Sequence, residues 1–219
     1  MIDFGIGQQR GIGYMALPRQ SPAPGVLVLH AWWGLTPTFT AACDRLAAAG
    51  FVALAPDLYA GKTAATIEQA ERLLAQRDSK RMDATALAAL DHIRAHPAVR
   101  SSGIATLGFS MGAAWATELA SERPADIAAA VIFYGTAGAD FAAARASYLA
   151  HFAEGDEWEP EEGVRQMEAD IRAAGRAATF YSYPGAKHWF MEPNRPEYSL
   201  PAAELAWDRT LAFLREQLG

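Results

Sequence analysis

The chain has 219 residues, 51% of them hydrophobic and 20% charged, a balance that excludes disordered, fibrous and collagen-like classes and is enough for one α/β core. A formal charge of −6 argues against a nucleic-acid footprint, and the single cysteine, Cys43, excludes an internal disulfide framework or a zinc site built on several thiols. Met1–Gln20 has no apolar run of signal-peptide length, and the Ile127–Tyr134 run is too short to cross a bilayer, so a soluble, cytoplasmic protein is expected.

Short β-rich runs alternate with longer Ala/Leu/Glu/Arg segments, the sequence form of a mostly parallel sheet covered by helices on both faces. Roughly a fifth of the chain is alanine, the best helix former. Ile12–Leu17 reads as a first strand and Gly25–His30 as a buried one. Thr38–Ala49 reads as a helix stopped by Gly50, and Phe51–Ala55 as a strand ending at Pro56. Amphipathic stretches follow at Thr66–Gln76 and Met82–His96, the second ended by Pro97. Gly103–Gly108 is a strand that enters a helix near Met111, and Ala128–Tyr134 and Tyr148–Ala153 are two more strands. Helix Glu161–Ala174 stops at Gly175, strand Ala178–Tyr183 stops at Pro184, and helix Ala202–Leu218 closes the chain. No repeat or linker divides it, which predicts one doubly wound domain over 1–219 with about seven or eight strands.

Gly108-Phe-Ser-Met-Gly112 matches G-x-S-x-G where a strand becomes a helix, the context in which this motif holds a serine exposed on a strained turn. Gly108 and Gly112 make room for that turn, and Ala113 and Ala114 let the helix pack close to the strand. A hydroxyl is unreactive at neutral pH, so Ser110 needs a base. Only His151 and His188 follow it in the chain. His188 sits in a loop directly after the last predicted strand and is the expected base, whereas His151 lies within a strand and is expected to be packed. His92 and His96 read as helix-surface residues, and His30 as a strand-end residue that orients the next loop. The acid should follow the strand before, where Glu154-Gly-Asp-Glu-Trp-Glu159 offers four carboxylates. Asp156, the first past Gly155, is favoured, with Glu154, Glu157 and Glu159 as alternatives. Pro160 followed by Glu161 and Glu162 is what a helix N-terminus prefers electrostatically, so neither a metal nor any other cofactor is expected there. An acyl transfer also needs two N–H donors for its oxyanion, here the backbone amides of Met111 and of Trp32 in the His30–Gly34 loop.

These residues give the sequence a resemblance to the dienelactone hydrolase family of α/β-hydrolases. It is carried by Ala55-Pro-Asp-Leu-Tyr-Ala60, Gly108-Phe-Ser-Met-Gly-Ala113, Gly155-Asp-Glu-Trp-Glu-Pro160, Tyr183-Pro-Gly-Ala-Lys-His188 and Ala206-Trp-Asp-Arg-Thr-Leu-Ala-Phe213. The resemblance implies an α/β-hydrolase fold without a lid domain, a Ser110/Asp156/His188 triad and hydrolysis of a small-molecule ester or lactone through an acyl-enzyme. Three positions depart from the family's familiar members: Ser110 replaces their nucleophilic cysteine, Ala31 replaces a glutamate that contacts the resting thiol, and Glu192 replaces an arginine that recognises the substrate carboxylate. With Trp33, Tyr59, Trp158, Phe190 and Met191 as pocket lining and Glu192 beside them, the substrate expected is small, neutral or aromatic. The same triad would also serve a thioesterase or an acyltransferase, and a ligand-binding sensor on this fold is the alternative outside catalysis. Neither nucleic acid nor membrane is expected as a partner. Cys43, inside the first predicted helix, is expected to be a small buried hydrophobe.

Overall fold

A computed structural model describes residues 1–100 and 103–219 in full. The chain forms two compact units, Met1–Ile104 and Ala105–Gly219, with the boundary inside one strand.

The first unit contains β1 (Ile2–Ile6), β2 (Gln9–Ala16), β3 (Ala23–Leu29), α1 (Pro37–Ala48), β4 (Val52–Pro56), α2 (Ile67–Ala75) and α3 (Ser79–Ala95). Its strand order is β1-β2-β4-β3. β1 pairs antiparallel with β2 and β2 with β4, whereas β3 and β4 run parallel with Val26 opposite Ala53. Every residue of β3 and β4 is buried. Successive side chains on a strand point to opposite faces, so both faces need cover, and α1 and α3 pack on these strands. The helix limits follow local chemistry. Thr66 caps α2 by accepting from the Gln69 N–H, Asp78 caps α3 by accepting from the Arg81 N–H, and Gly50, at φ +101°, takes the left-handed position after α1.

β1 is not among the strands expected from the sequence. Of its five residues only Phe4 is buried, its ring lying over Gly11, and Gly7 at φ +56° opens a two-residue turn into β2. A short edge strand with one core residue has almost no apolar alternation to read.

The strand at the boundary is β5 (Val99–Phe109), longer than the six residues expected. The second unit continues with α4 (Gly112–Glu122), β6 (Ile127–Phe133), β7 (Ser147–Ala153), α5 (Glu161–Ala173), β8 (Ala178–Tyr183) and α6 (Leu200–Leu218), in strand order β5-β6-β7-β8. β6, β7 and β8 are parallel, with Phe133 opposite His151 and His151 opposite Tyr181. α4 packs on β6, α5 on β8 and α6 on β6 and β7. Parallel strands deliver their C-terminal ends to one edge, where α/β sheets place their sites.

Candidate active site

At the end of β5 the chain turns sharply through Ser110, which adopts φ +47°. A left-handed backbone at a non-glycine residue is unfavourable and persists only where its surroundings hold it. Here the Ser110 N–H donates to the Phe133 carbonyl at 2.8 Å, and the Ala113 N–H donates back to the Ser110 carbonyl at 2.8 Å. The turn also needs bare backbone. A Cβ on Gly108 would run into Gly112 and Ala113, and one on Gly135 into Ser110 and Ala113. Thr106 Oγ1 donates to the Ala116 carbonyl at 3.1 Å and ties the strand to the helix that follows it. Met111 stands at the N-cap of α4, where backbone amides point outward along the helix axis toward developing negative charge.

His188 lies in the loop after β8, and its Nε2 is 3.1 Å from Ser110 Oγ. Its Nδ1 is 2.8 Å from Asp156 Oδ2. The carboxylate can only accept, so Nδ1 carries the proton and Nε2 is left to take the one on Ser110. Asp156 is held in turn by the Trp158 N–H, which donates to Oδ1 at 2.9 Å, and Gly155 at φ +65° makes the turn that aims it. Both side chains of the His188–Asp156 pair are almost wholly out of solvent. The neighbouring carboxylates go elsewhere. Glu154 and Glu157 are exposed. Glu159 accepts from Thr136 N–H at 2.9 Å and from Thr136 Oγ1 at 2.6 Å, and burial raises its pKa against the pull of those hydrogen bonds.

Around His188 stands a group of aromatic residues, and two of them, Tyr134 and Trp189, are not marked by any motif of the sequence. Tyr134 follows β6 at φ +38° and puts its ring 5.0 Å from the imidazole. Trp189 follows His188 at φ +62°, with its ring 5.0 Å from the imidazole and 5.4 Å from Trp158. Trp158 is 41% exposed and lies 6.1 Å from His188. Phe190 is fully buried against Tyr134 and Tyr183. Glu192, expected to face substrate, is 1% exposed and accepts a hydrogen bond from Tyr134 Oη at 3.1 Å. The one sequence signal for Tyr134 is its position, since Tyr134-Gly135 ends the strand that neighbours the elbow strand.

His151 is fully buried between Tyr183 Oη at 2.8 Å and Thr210 Oγ1 at 3.1 Å. Burial lowers its pKa to about 3, so it is a neutral packing residue.

The first unit carries the other candidate residues. His30 directly follows β3, is buried, and accepts from the Leu58 N–H at Nε2 while Nδ1 donates to the Ala31 carbonyl at 2.7 Å. Burial lowers its pKa, as fits a neutral ring with one donor and one acceptor nitrogen. It thereby joins the 30–34 loop to the loop after β4, where Asp57 accepts from the Tyr59 and Gly61 amides. Trp32 and Trp33 meet edge to face at 5.3 Å, and Gly34 at φ +84° backs directly onto the Lys62 carbonyl. Trp33 is buried and Trp32 half-buried. Tyr59 is also buried, which pushes its phenol up to about 12. Among the described residues no group of three or more His, Cys, Asp or Glu could hold a metal ion, and no helix is long and apolar enough to cross a membrane.

The sequence profile described as the dienelactone hydrolase family matches residues 12–218. The protein usf of Aquifex pyrophilus is 31% identical over 228 positions, covering 100% of this chain and 98% of the relative. A protein of Escherichia coli (strain K12), provisionally named a carboxymethylenebutenolidase, is 31% identical over 94% of this chain and 82% of that protein. Among solved structures, a dienelactone hydrolase-like promiscuous phosphotriesterase from metagenomic libraries is similar with a TM-score of 0.88 at 25% identity, covering 100% of this chain and 97% of the other.

Proposed function

Because the chain belongs to the dienelactone hydrolase family and has its α/β-hydrolase fold, we propose that this ester or lactone hydrolase works through an acyl-serine formed on Ser110. The observation that carries the mechanism is the chain of contacts from Ser110 Oγ through His188 to Asp156, at 3.1 and 2.8 Å. In this reading Ser110 attacks the carbonyl carbon as His188 Nε2 takes its proton. Asp156 keeps its charge, fixes the tautomer and stabilises the imidazolium. The Met111 amide receives the oxyanion, and Trp32 is assigned the second donor on its sequence position. Each such donor is worth about 10²–10³ in kcat. The imidazolium then protonates the leaving alcohol, and a water activated by the same nitrogen releases the acid.

A small neutral or aromatic substrate is supported by the exposed Trp158 ring beside His188. The chain is taken to act as one α/β-hydrolase domain. A cytoplasmic setting fits its single buried thiol. Reaction with a fluorophosphonate probe and turnover of a panel of aryl esters and lactones test the mechanism, wild type beside Ser110→Ala. Loss of both in the variant is expected. Retained labelling or turnover would remove Ser110 as nucleophile.

A further inference from the structure

We propose that Tyr134 and Glu192 form a strut that sets His188 over Ser110 and so act as positioning residues for the base, an inference that rests on the Ser110–His188–Asp156 reading. His188 is carried by a loop, and the 3.1 Å between Nε2 and Ser110 Oγ is only as exact as that loop's seat on the sheet. The Tyr134 side chain supplies the seat. Its ring stands against the imidazole at 5.0 Å and 59°, and edge-on to Phe190 at 5.4 Å. Its hydroxyl donates to Glu192 Oε1 at 3.1 Å, four residues beyond the histidine. Glu192 is built into the loop at both ends, its N–H donating to the Trp189 carbonyl and its own carbonyl accepting from the Arg195 N–H, each at 2.9 Å.

On the other side Tyr134 is fixed to the sheet. Its N–H donates to the His151 carbonyl at 2.8 Å, and the residue before it, Phe133, accepts the Ser110 N–H at 2.8 Å. Nucleophile and base are thus registered on two consecutive residues, the first through its main chain and the second through its side chain. Two costs mark this arrangement as held in place. Tyr134 adopts φ +38°, which a bulky side chain rarely does. Glu192 is a carboxylate at 1% exposure, a burial that is unfavourable unless hydrogen bonds compensate. The same burial, with Glu192 beside it, pushes the Tyr134 phenol well up, so the hydroxyl remains the donor.

The test compares Tyr134→Phe, Glu192→Leu and Glu192→Gln on 4-nitrophenyl acetate, with enzyme concentration set by fluorophosphonate titration and folding followed by thermal midpoint. Because a misplacement of about 1 Å costs on the order of 10² in rate, kcat should fall about 10- to 100-fold in Tyr134→Phe and Glu192→Leu with KM within about twofold. Glu192→Gln keeps an acceptor for the hydroxyl and should recover about tenfold over Glu192→Leu. Wild-type kcat in Tyr134→Phe, a loss confined to KM, or equal damage from Gln and Leu would overturn the proposal. If Glu192→Leu does not fold, Tyr134→Phe decides alone. Ser110→Ala run alongside separates the two ideas: activity there sinks the nucleophile, whereas an inactive Ser110→Ala beside an unaffected Tyr134→Phe sinks only the strut.

Discussion

Replacing Gly135 with alanine tests the close approach on which the elbow depends. Gly135 sits one residue past Tyr134, and a Cβ there would lie 2.7 Å from Ala113 Cβ and 3.0 Å from the Ser110 carbonyl carbon, closer still to the Ser110 oxygen. Carbon atoms pack at about 3.5–4.0 Å, so the elbow and the end of β6 must part by roughly 1 Å. None of these neighbours is the flexible tip of a side chain. The displaced residue is Ser110 itself, whose Oγ must stay near 3.1 Å from His188 Nε2. Overpacking of this kind costs about 1–3 kcal/mol of stability, and an error of about 1 Å at a reacting atom costs on the order of 10² in kcat. Both should appear in Gly135→Ala, read as a lower urea midpoint and a lower kcat on an aryl ester. Gly138→Ala, three residues on with nothing within 4 Å of its added carbon, should stay within about 0.5 kcal/mol of wild type. If Gly135→Ala keeps kcat within about threefold and loses no stability, the elbow does not depend on this contact and the argument from close approach fails.

Asp156→Asn should lower kcat by about 10³–10⁴ at neutral pH by favouring the wrong imidazole tautomer, whereas Glu154→Gln and Glu157→Gln, on exposed side chains, should change it less than about twofold; a comparable loss at either glutamate would reassign the acid. His151 has a folded pKa lowered to about 3 from 6.5, so its contribution to stability is complete above pH 6.5 and is lost as pH falls toward 3, because only the unfolded chain takes up the proton in that window. The slope from this residue should be about 1.4 kcal/mol per pH unit, and urea midpoints measured from pH 7 to 4 should fall less steeply in His151→Gln; parallel profiles would remove His151 from the acid response. Cys43 is fully buried and its thiol is pushed well up by that burial, so a disulfide-exchange reagent at pH 8 should label it only after unfolding; fast labelling of the native protein would contradict its packing.

Much of the fold can be read from the caps. α2 occupies the residues between Thr66 and Gln76, α5 starts behind Pro160, and Gly50 and Gly175 stand in the left-handed positions after α1 and α5, because each of these residue types has a local reason to be there. α3 begins three residues ahead of Met82 because its first turn, Ser79-Lys-Arg81, is polar and only the Asp78 cap marks it. The proximity of Ser110, Asp156 and His188 was also legible, since each follows a different strand and parallel strands end on one edge. The role of Tyr134 is not legible there, and Glu192 is legible only as a position expected to face substrate. An aromatic at a strand end looks like ordinary core, and the neighbours of Glu192, Pro193, Asn194 and Arg195, give no sign that it is buried. Its burial depends on a partner 58 positions away, and no local pattern encodes that.

The alanine excess has a second reason besides helix propensity. α4 must rise directly out of the elbow and lie close to β6, and the residues it buries include Ala113, Ala116 and Ala120, all wholly buried beside Thr117 and Leu119, with Ala129 and Ala130 buried in β6. Larger side chains there would lift the helix from the sheet, and Ser110 with it, because the Ala113 N–H holds the Ser110 carbonyl. Among the described residues four non-glycine positions have positive φ, and Ser110, Tyr134 and Trp189 are three of them. Backbone strain of about 1–3 kcal/mol each is thus concentrated around one imidazole, and the small-residue packing beneath it is what lets the chain approach closely enough to hold that strain.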